Sequence, residues 1–197
     1  MIPNNVLEIL KKINETKEAY IVGGAVRDLI MGKSPHDYDI ATNMEVNELQ
    51  KMFPHNFPSG IEYGVITVFV NHEPYEIAHY RTDLKYSDCR HPEIALTESI
   101  EEDLKRRDFT MNAIAWKDGK YLDLFGGIKD IESKTIRAVG DPYIRIDEYA
   151  LRMMRAIRFS AQLGFEIEDS LKEAIKKHAH LIQKVSAERI EAELTKI

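Results

Sequence analysis

Cysteine is nearly absent. Cys89 is the only one, so the chain can form no internal disulfide and no cysteine-rich zinc site, and a reducing, cytoplasmic setting is expected. Long apolar runs are missing as well. No stretch approaches the roughly 20 residues of a membrane helix, and the opening MIPNNVLEILKKI has neither the basic start nor the continuous apolar core of a signal peptide, so membrane anchoring and export are not expected. Net positive charge is the third absence. A formal charge of −6 argues against a nonspecific grip on nucleic acid, because phosphate contacts need clustered Lys and Arg. Any RNA contact must be local, and Arg106, Arg107, Arg145, Arg152, Arg155 and Arg158 supply such clusters in the second half.

What is present is a globular composition: 197 residues, 44% hydrophobic and 30% charged. That is enough for one substantial core with a small module beside it. Val6, Ile9, Leu10 and Ile13 are spaced as a helix, and Tyr20 to Val22 reads as a short buried strand ended by Gly23 and Gly24. AVRDLIM then reads as a short helix closed by Gly32, and HDYDIAT as a strand. After a helical stretch from Val46 to Phe53, GVITVFV and YEIAHY form two strands around a turn at NHEP. Thr82 to Thr97 shows no period and reads as a long mobile loop. Ser99 and Glu102 form a capping-box pattern for the helix leading to Arg106 and Arg107.

NAIAW, YLDL and TIRAV read as extended pieces, with FGG as a turn. From Asp141 the pattern turns helical, with one amphipathic helix expected over Arg145 to Leu163, ended by Gly164, and two more behind it. A boundary near Gly140 therefore divides 1–140 from 141–197. The last helix stops in mid-pattern at Ile197, which reads as a fragment of a longer protein.

Five groups of residues carry potential chemistry. Asp37 and Asp39, at i and i+2 of a strand, would share a face and hold two carboxylates together, a pairing that hard cations such as Mg²⁺ relieve; a polar strand end gives the same pattern. Gly23 and Gly24 permit a close backbone approach, with a helix start behind them suited to an anion, although Arg27 and Asp28 also fit a surface pair. Glu76 would join the aspartates only if its strand lay beside theirs. Arg106 and Arg107 suit a triphosphate, and equally a helix C-terminus, while Asp108 and Asn112 suit local backbone caps. Glu148, Arg152 and Arg155 fall in one helical stripe with Arg145 near it and Arg158 at its edge. A salt-bridged face explains part of that stripe, but the arginines outnumber the one glutamate.

Taken in order, YIVGGAVRDLIMG, HDYDIAT, YEIAHYRTDLKYSDCRHPE, EEDLKRRDFTMNAIA, LFGG and ALRMMRAIRFSAQLGF resemble the class II CCA-adding enzymes and bacterial poly(A) polymerases over nearly the whole chain. The resemblance implies an α+β nucleotidyltransferase head, with a mixed sheet and flanking helices, followed by an all-helical neck that recognises the base. It implies metal binding by Asp37 and Asp39 with Glu76 as the third catalytic carboxylate, and Mg²⁺ as cofactor. Nucleotide contacts would come from the glycine turn (Gly23, Gly24), Arg27, Arg107, Arg155 and Arg158, with Arg152 reading the base edge. The implied reaction is attack of a tRNA 3′-hydroxyl on the α-phosphate of CTP or ATP; poly(A) addition and a non-catalytic nucleotide- or RNA-binding module are the alternatives. Tyr149 departs from the family's EDxxR pattern, standing where an acidic base-reading residue is expected, and this implies weaker selection between CTP and UTP.

Overall fold

The computed structural model describes residues 2–86 and 92–197, so Cys89 lies outside the described residues. Val6, Ile9, Leu10 and Ile13 all turn inward on α1 (Asn4–Ile13), as their helical spacing requires. β1 (Ala19–Val22) ends at Gly23, whose φ of 72° lies where a Cβ is disfavoured, and α2 (Gly24–Ile30) begins at once. β2 (Asp39–Thr42) and α3 (Val46–Met52) follow. The edge strand β3 (Asn56–Gly60) leads to β4 (Val65–Val70) and β5 (Glu73–His79). Asn71 and His72 both take positive φ between the last two, the twist a two-residue hairpin needs.

The main sheet has the order β3-β4-β5-β2-β1, continued by β8 (Ile114–Lys117) and β9 (Lys120–Asp123), and is antiparallel except for β2 against β5. Its strands alternate. Ile21, Ile40, Ile66, Val68 and Ile77 enter the large core with α1 and α3, while Val22, Ala41, Tyr80 and Ala115 form a smaller cluster closed by Ile100 and Leu104 of α4 (Ile100–Lys105). Ser99 caps α4 by accepting from the Glu102 amide. The segment read as a long loop is instead largely a two-stranded ribbon, β6 (Arg81–Tyr86) against β7 (Pro92–Leu96). Main-chain pairing holds it, and a ribbon without a continuous apolar face leaves no hydrophobic period to read.

α5 (Gly127–Glu132) and β10 (Thr135–Ile136) connect to the C-terminal helices. Asp141 caps α6 (Pro142–Glu148) through the Tyr143 and Ile144 amides. The single helix expected over Arg145 to Leu163 is two helices, because Tyr149 is extended (φ −151°, ψ 98°) between α6 and α7 (Leu151–Leu163). The Arg152 and Met153 amides bond straight back to Tyr149 and Ala150, so helix resumes without disturbing the apolar period. Gly164, at φ 67°, ends α7 as expected. β11 (Glu166–Ile167) pairs with β10, and α8 (Asp169–His178) and α9 (Ala187–Leu194) complete the chain. The architecture is α+β, a mixed sheet with flanking helices followed by a mainly helical part; the expected all-helical neck contains one short strand, β11, which pairs back to β10. Among the described residues no helix is long and apolar enough to cross a membrane.

Candidate active site

β2 and β5 are parallel with Ile40 opposite Ile77, so Asp39 and Glu76 stand at the same level on neighbouring strands and on the same face. The juxtaposition that the sequence left open is therefore present. Asp37 differs from expectation, since the strand begins only at Asp39 and the strand argument for a shared face does not hold. Asp37 nevertheless lines, with His36, Asp39, Thr67, Tyr75 and Glu76, a cleft of about 660 Å³. Partial desolvation pushes the Asp39 carboxyl above its ordinary range although its surface is open; Arg107 opposes this and Asp37 reinforces it. Glu76 is also raised, first by desolvation and then by Asp39, with Arg81 opposing. Two carboxylates thus repel each other across adjacent strands.

A smaller cleft of about 230 Å³ shares this pair, and its lining includes Asp39, Glu76, Arg81, Asp103, Arg106 and Arg107. Asp103 organises it. From the buried face of α4 it accepts from Arg106 Nη2 at 2.8 Å and Arg107 Nη2 at 3.1 Å. Burial alone would raise this carboxyl, but the two guanidiniums hold it below the usual range. Arg107 also passes over the glycine turn, where a Cβ on Gly23 would lie 2.9 Å from its Nη1 and 3.6 Å from Asp39 Oδ2. Gly23 is required there both for its φ and for the guanidinium beside it. Gly24 lies next to Arg27, whose Nη1 donates to Asn112 at 2.9 Å and whose Nη2 meets Asp28 at 2.8 Å.

The helical arginines do not line this cleft. Arg152 donates to Glu148 at 2.7 Å, to the Arg145 carbonyl, and through Nη2 to the Arg106 carbonyl at 3.2 Å, while Arg145 bonds to Glu148 and the Lys105 carbonyl. Both therefore brace the turn carrying Arg106 and Arg107. Arg155 Nε meets buried Asp108 at 2.7 Å and its Nη1 approaches Glu193 at 3.5 Å, and Arg158 Nε meets Glu193 at 2.5 Å. The expected excess of arginine over acid is thus corrected, because Asp108 and Glu193 supply the missing charges from distant parts of the chain. Arg27, Arg155 and Arg158 all lie over the Phe159 ring, at 5.3, 5.4 and 4.1 Å from its centroid. Asp108 also accepts from Asn112 and the Phe109 amide, so Asn112 links Arg27 to Asp108 and Arg155. The Tyr149 hydroxyl accepts from Arg189 Nη1 of α9 at 2.9 Å, so its side chain is tied to the last helix.

Asp103 was legible as an acid three and four residues before two arginines on a helix. Glu193 had no local signal. Among the described residues no three Asp, Glu, His or Cys side chains converge as a ready-made cation cage. A divalent cation of the Mg²⁺ type needs none, since one or two carboxylates with phosphate oxygens and water suffice. The mutually repelling Asp39 and Glu76, with Asp37 in the same cleft, fit that requirement.

The poly A polymerase head domain model matches residues 19–137, and a model described as the probable RNA and SrmB-binding site of polymerase A matches 164–197. The chain is 47% identical over 194 residues to a CCA-adding enzyme of Ligilactobacillus salivarius, covering 97% of this chain and 48% of that one, and 46% identical over 196 residues to one of Bacillus cereus, covering 98% and 49%. It spans about half the length of the curated relatives it matches. Among solved structures it is similar to the Bacillus stearothermophilus CCA-adding enzyme in complex with CTP, with a TM-score of 0.93 and 39% identity over 100% of this chain and 49% of that one. It is also similar to the Thermotoga maritima CCA-adding enzyme complexed with tRNA, with a TM-score of 0.78 and 26% identity over 99% and 47%. With the head model covering 119 of 197 residues, this chain belongs to the poly A polymerase head domain family.

Proposed function

We propose that this chain is the catalytic head (1–140) and neck (141–197) of a cytoplasmic, Mg²⁺-dependent RNA nucleotidyltransferase that adds CMP and AMP to the tRNA 3′ end. The observation that carries this reading is the pair Asp39 and Glu76 on neighbouring parallel strands, with Arg107 held between Asp103 and the Gly23 turn. Relatives at 46–47% identity carry the name CCA-adding enzyme, which supports tRNA as the acceptor. A poly(A) polymerase using the same site is the second reading, supported by the head model's own description.

Asp37 and Asp39 are the residues assigned to hold the metal. When bound, Mg²⁺ supplies charge neutralisation of the triphosphate and activation of the attacking hydroxyl. Glu76, beside Asp39, is assigned to orient the 3′-hydroxyl and take its proton as the new bond to the α-phosphate forms and the bond to pyrophosphate breaks. Gly23 and Gly24 let the Arg107 and Arg27 guanidiniums lie close against the turn, and the glycine turn with these two arginines is assigned to receive phosphate oxygens. Arg152 is assigned to the base edge, with Arg155 and Arg158 holding nucleotide from around Phe159. Little covalent chemistry falls to the protein, so positioning and charge are its contribution. The test is pyrophosphate release from CTP or ATP with a tRNA primer: the full-length protein should release it and its Asp39→Asn variant should not. Equal release by both would remove the carboxylate pair from the chemistry.

A further inference from the structure

Three arginines line the smaller cleft, and they are not equivalent. Arg106 and Arg107 are each bonded to Asp103. Arg81 lies just past β5, after Tyr80, and its main chain is fixed: its amide donates to Asp103 Oδ1 at 3.3 Å and its carbonyl accepts from Arg106 Nε at 3.1 Å. Its guanidinium forms no hydrogen bond or ion pair among the described residues, and its Nε is buried without a partner. A cation withdrawn from water in this way is unfavourable unless something compensates it. Burial and the neighbouring Arg106 both disfavour its charged form, against the pull of Asp103 and Asp83.

The surroundings define the compensating group. The cleft that Arg81 lines also contains Asp39 and Glu76, which repel a free carboxylate ligand but accept an anion that brings a divalent cation with it. The ion pairs of Asp103 go to Arg106 and Arg107, so it makes none with the Arg81 guanidinium. A planar guanidinium with fixed backbone suits tetrahedral phosphate oxygens, which it grips with two parallel donors. We propose that Arg81 is a phosphate-binding residue of this cleft, taking an oxyanion of a phosphate ester whose reaction occurs at Asp39 and Glu76. The proposal deepens the nucleotidyl-transfer reading and rests on it for the identity of the ester. Two sources share this chemistry, the nucleoside triphosphate and the backbone phosphate at the RNA 3′ end.

The experiment compares the full-length protein with its Arg81→Gln and Arg81→Lys variants. Inorganic tripolyphosphate, CTP and cytidine are titrated calorimetrically in Mg²⁺, and KM is measured for CTP and for tRNA lacking its CCA end. If the triphosphate is the source, Arg81→Gln weakens tripolyphosphate and CTP binding about tenfold or more, a lost charge-assisted contact, while cytidine binding is unchanged and Arg81→Lys recovers part of the loss. If the RNA phosphate is the source, triphosphate binding is unchanged and KM for tRNA rises by a similar factor; this also supports the proposal. Unchanged tripolyphosphate binding together with unchanged KM for tRNA overturns it. So does equal weakening of cytidine, or an Arg81→Gln chain that does not fold, since either assigns Arg81 to structure. Tripolyphosphate binding is read without turnover, so a parent protein that binds it through Arg81 yet transfers no nucleotide would sink the functional reading and not this site.

Discussion

Replacing Asp108 by asparagine isolates the contact between the sheet domain and the C-terminal helices without changing side-chain size. Oδ1 accepts from the Phe109 amide at 2.8 Å and Asn112 Nδ2 at 3.2 Å, and Oδ2 accepts from Arg155 Nε at 2.7 Å. An amide has only one oxygen. Turned toward Phe109 and Asn112 it sets its NH₂ against the Arg155 donor, and turned the other way it orphans the first two. Breaking a buried pair of this kind costs about 3–5 kcal/mol. The Arg155 side chain is 32% exposed and keeps Glu193 at 3.5 Å, so a discounted loss of roughly 2–3 kcal/mol is expected. Urea unfolding at pH 7 reads it directly. Asp108 titrates below its ordinary range, because Arg155, Asn112 and the Phe109 amide outweigh its burial. Its contribution is therefore fully present above the unfolded value of about 3.9 and is lost as pH falls through the folded one, so Asp108→Asn should also flatten the acid side of the stability profile. A loss below about 0.5 kcal/mol, the level of an ordinary surface change, with an unaltered acid limb would show that the Asp108–Arg155 pair does not stabilise the fold.

Asp39→Asn should abolish transfer yet melt at or above the parent temperature at pH 7 in chelator: its folded pKa is raised, so the stability present while it is protonated is lost as pH rises through that value. A lowered melting temperature would show that Asp39 is structural. Glu193→Gln, which unsettles Arg155 and Arg158 together, should raise KM for CTP about tenfold with kcat less affected; steady-state kinetics on the full-length protein would contradict this if kcat fell and KM did not. Tyr149→Asp should sharpen incorporation of CTP over UTP by about tenfold, since a carboxylate only accepts and an unmatched carbonyl edge is rejected. Equal ratios in parent and variant would remove Tyr149 from base selection and leave it as the partner of Arg189.

Periodic apolar segments were readable because burial on one face leaves a period in the sequence, as in α1 and in β4 with β5. The ribbon of β6 and β7 left none. β3 was missed for a related reason: it is a mostly exposed edge strand containing Pro58, a residue that argues against a strand except at an edge. The helix break at Tyr149 was hidden by an apolar pattern that continues across one extended residue. For the site, the residue types were legible and their partners were not. The pairing of Asp39 with Glu76 depends on which strands are neighbours, and Glu193 reaches Arg158 from 35 residues away. Arg81 stood within a recognised segment, but that its buried Nε has no hydrogen-bond partner is visible only in three dimensions.

Nucleotidyl transfer itself is tested most directly by incubating the full-length protein with tRNA lacking its CCA end, Mg²⁺ and each triphosphate separately, then CTP with ATP, and sizing the products on a gel. Extension by CTP alone should stop short of completion, and both triphosphates together should give a defined three-nucleotide addition, a count that follows from the CCA end itself. No extension with any triphosphate, or long tails made from ATP alone, would contradict CCA addition.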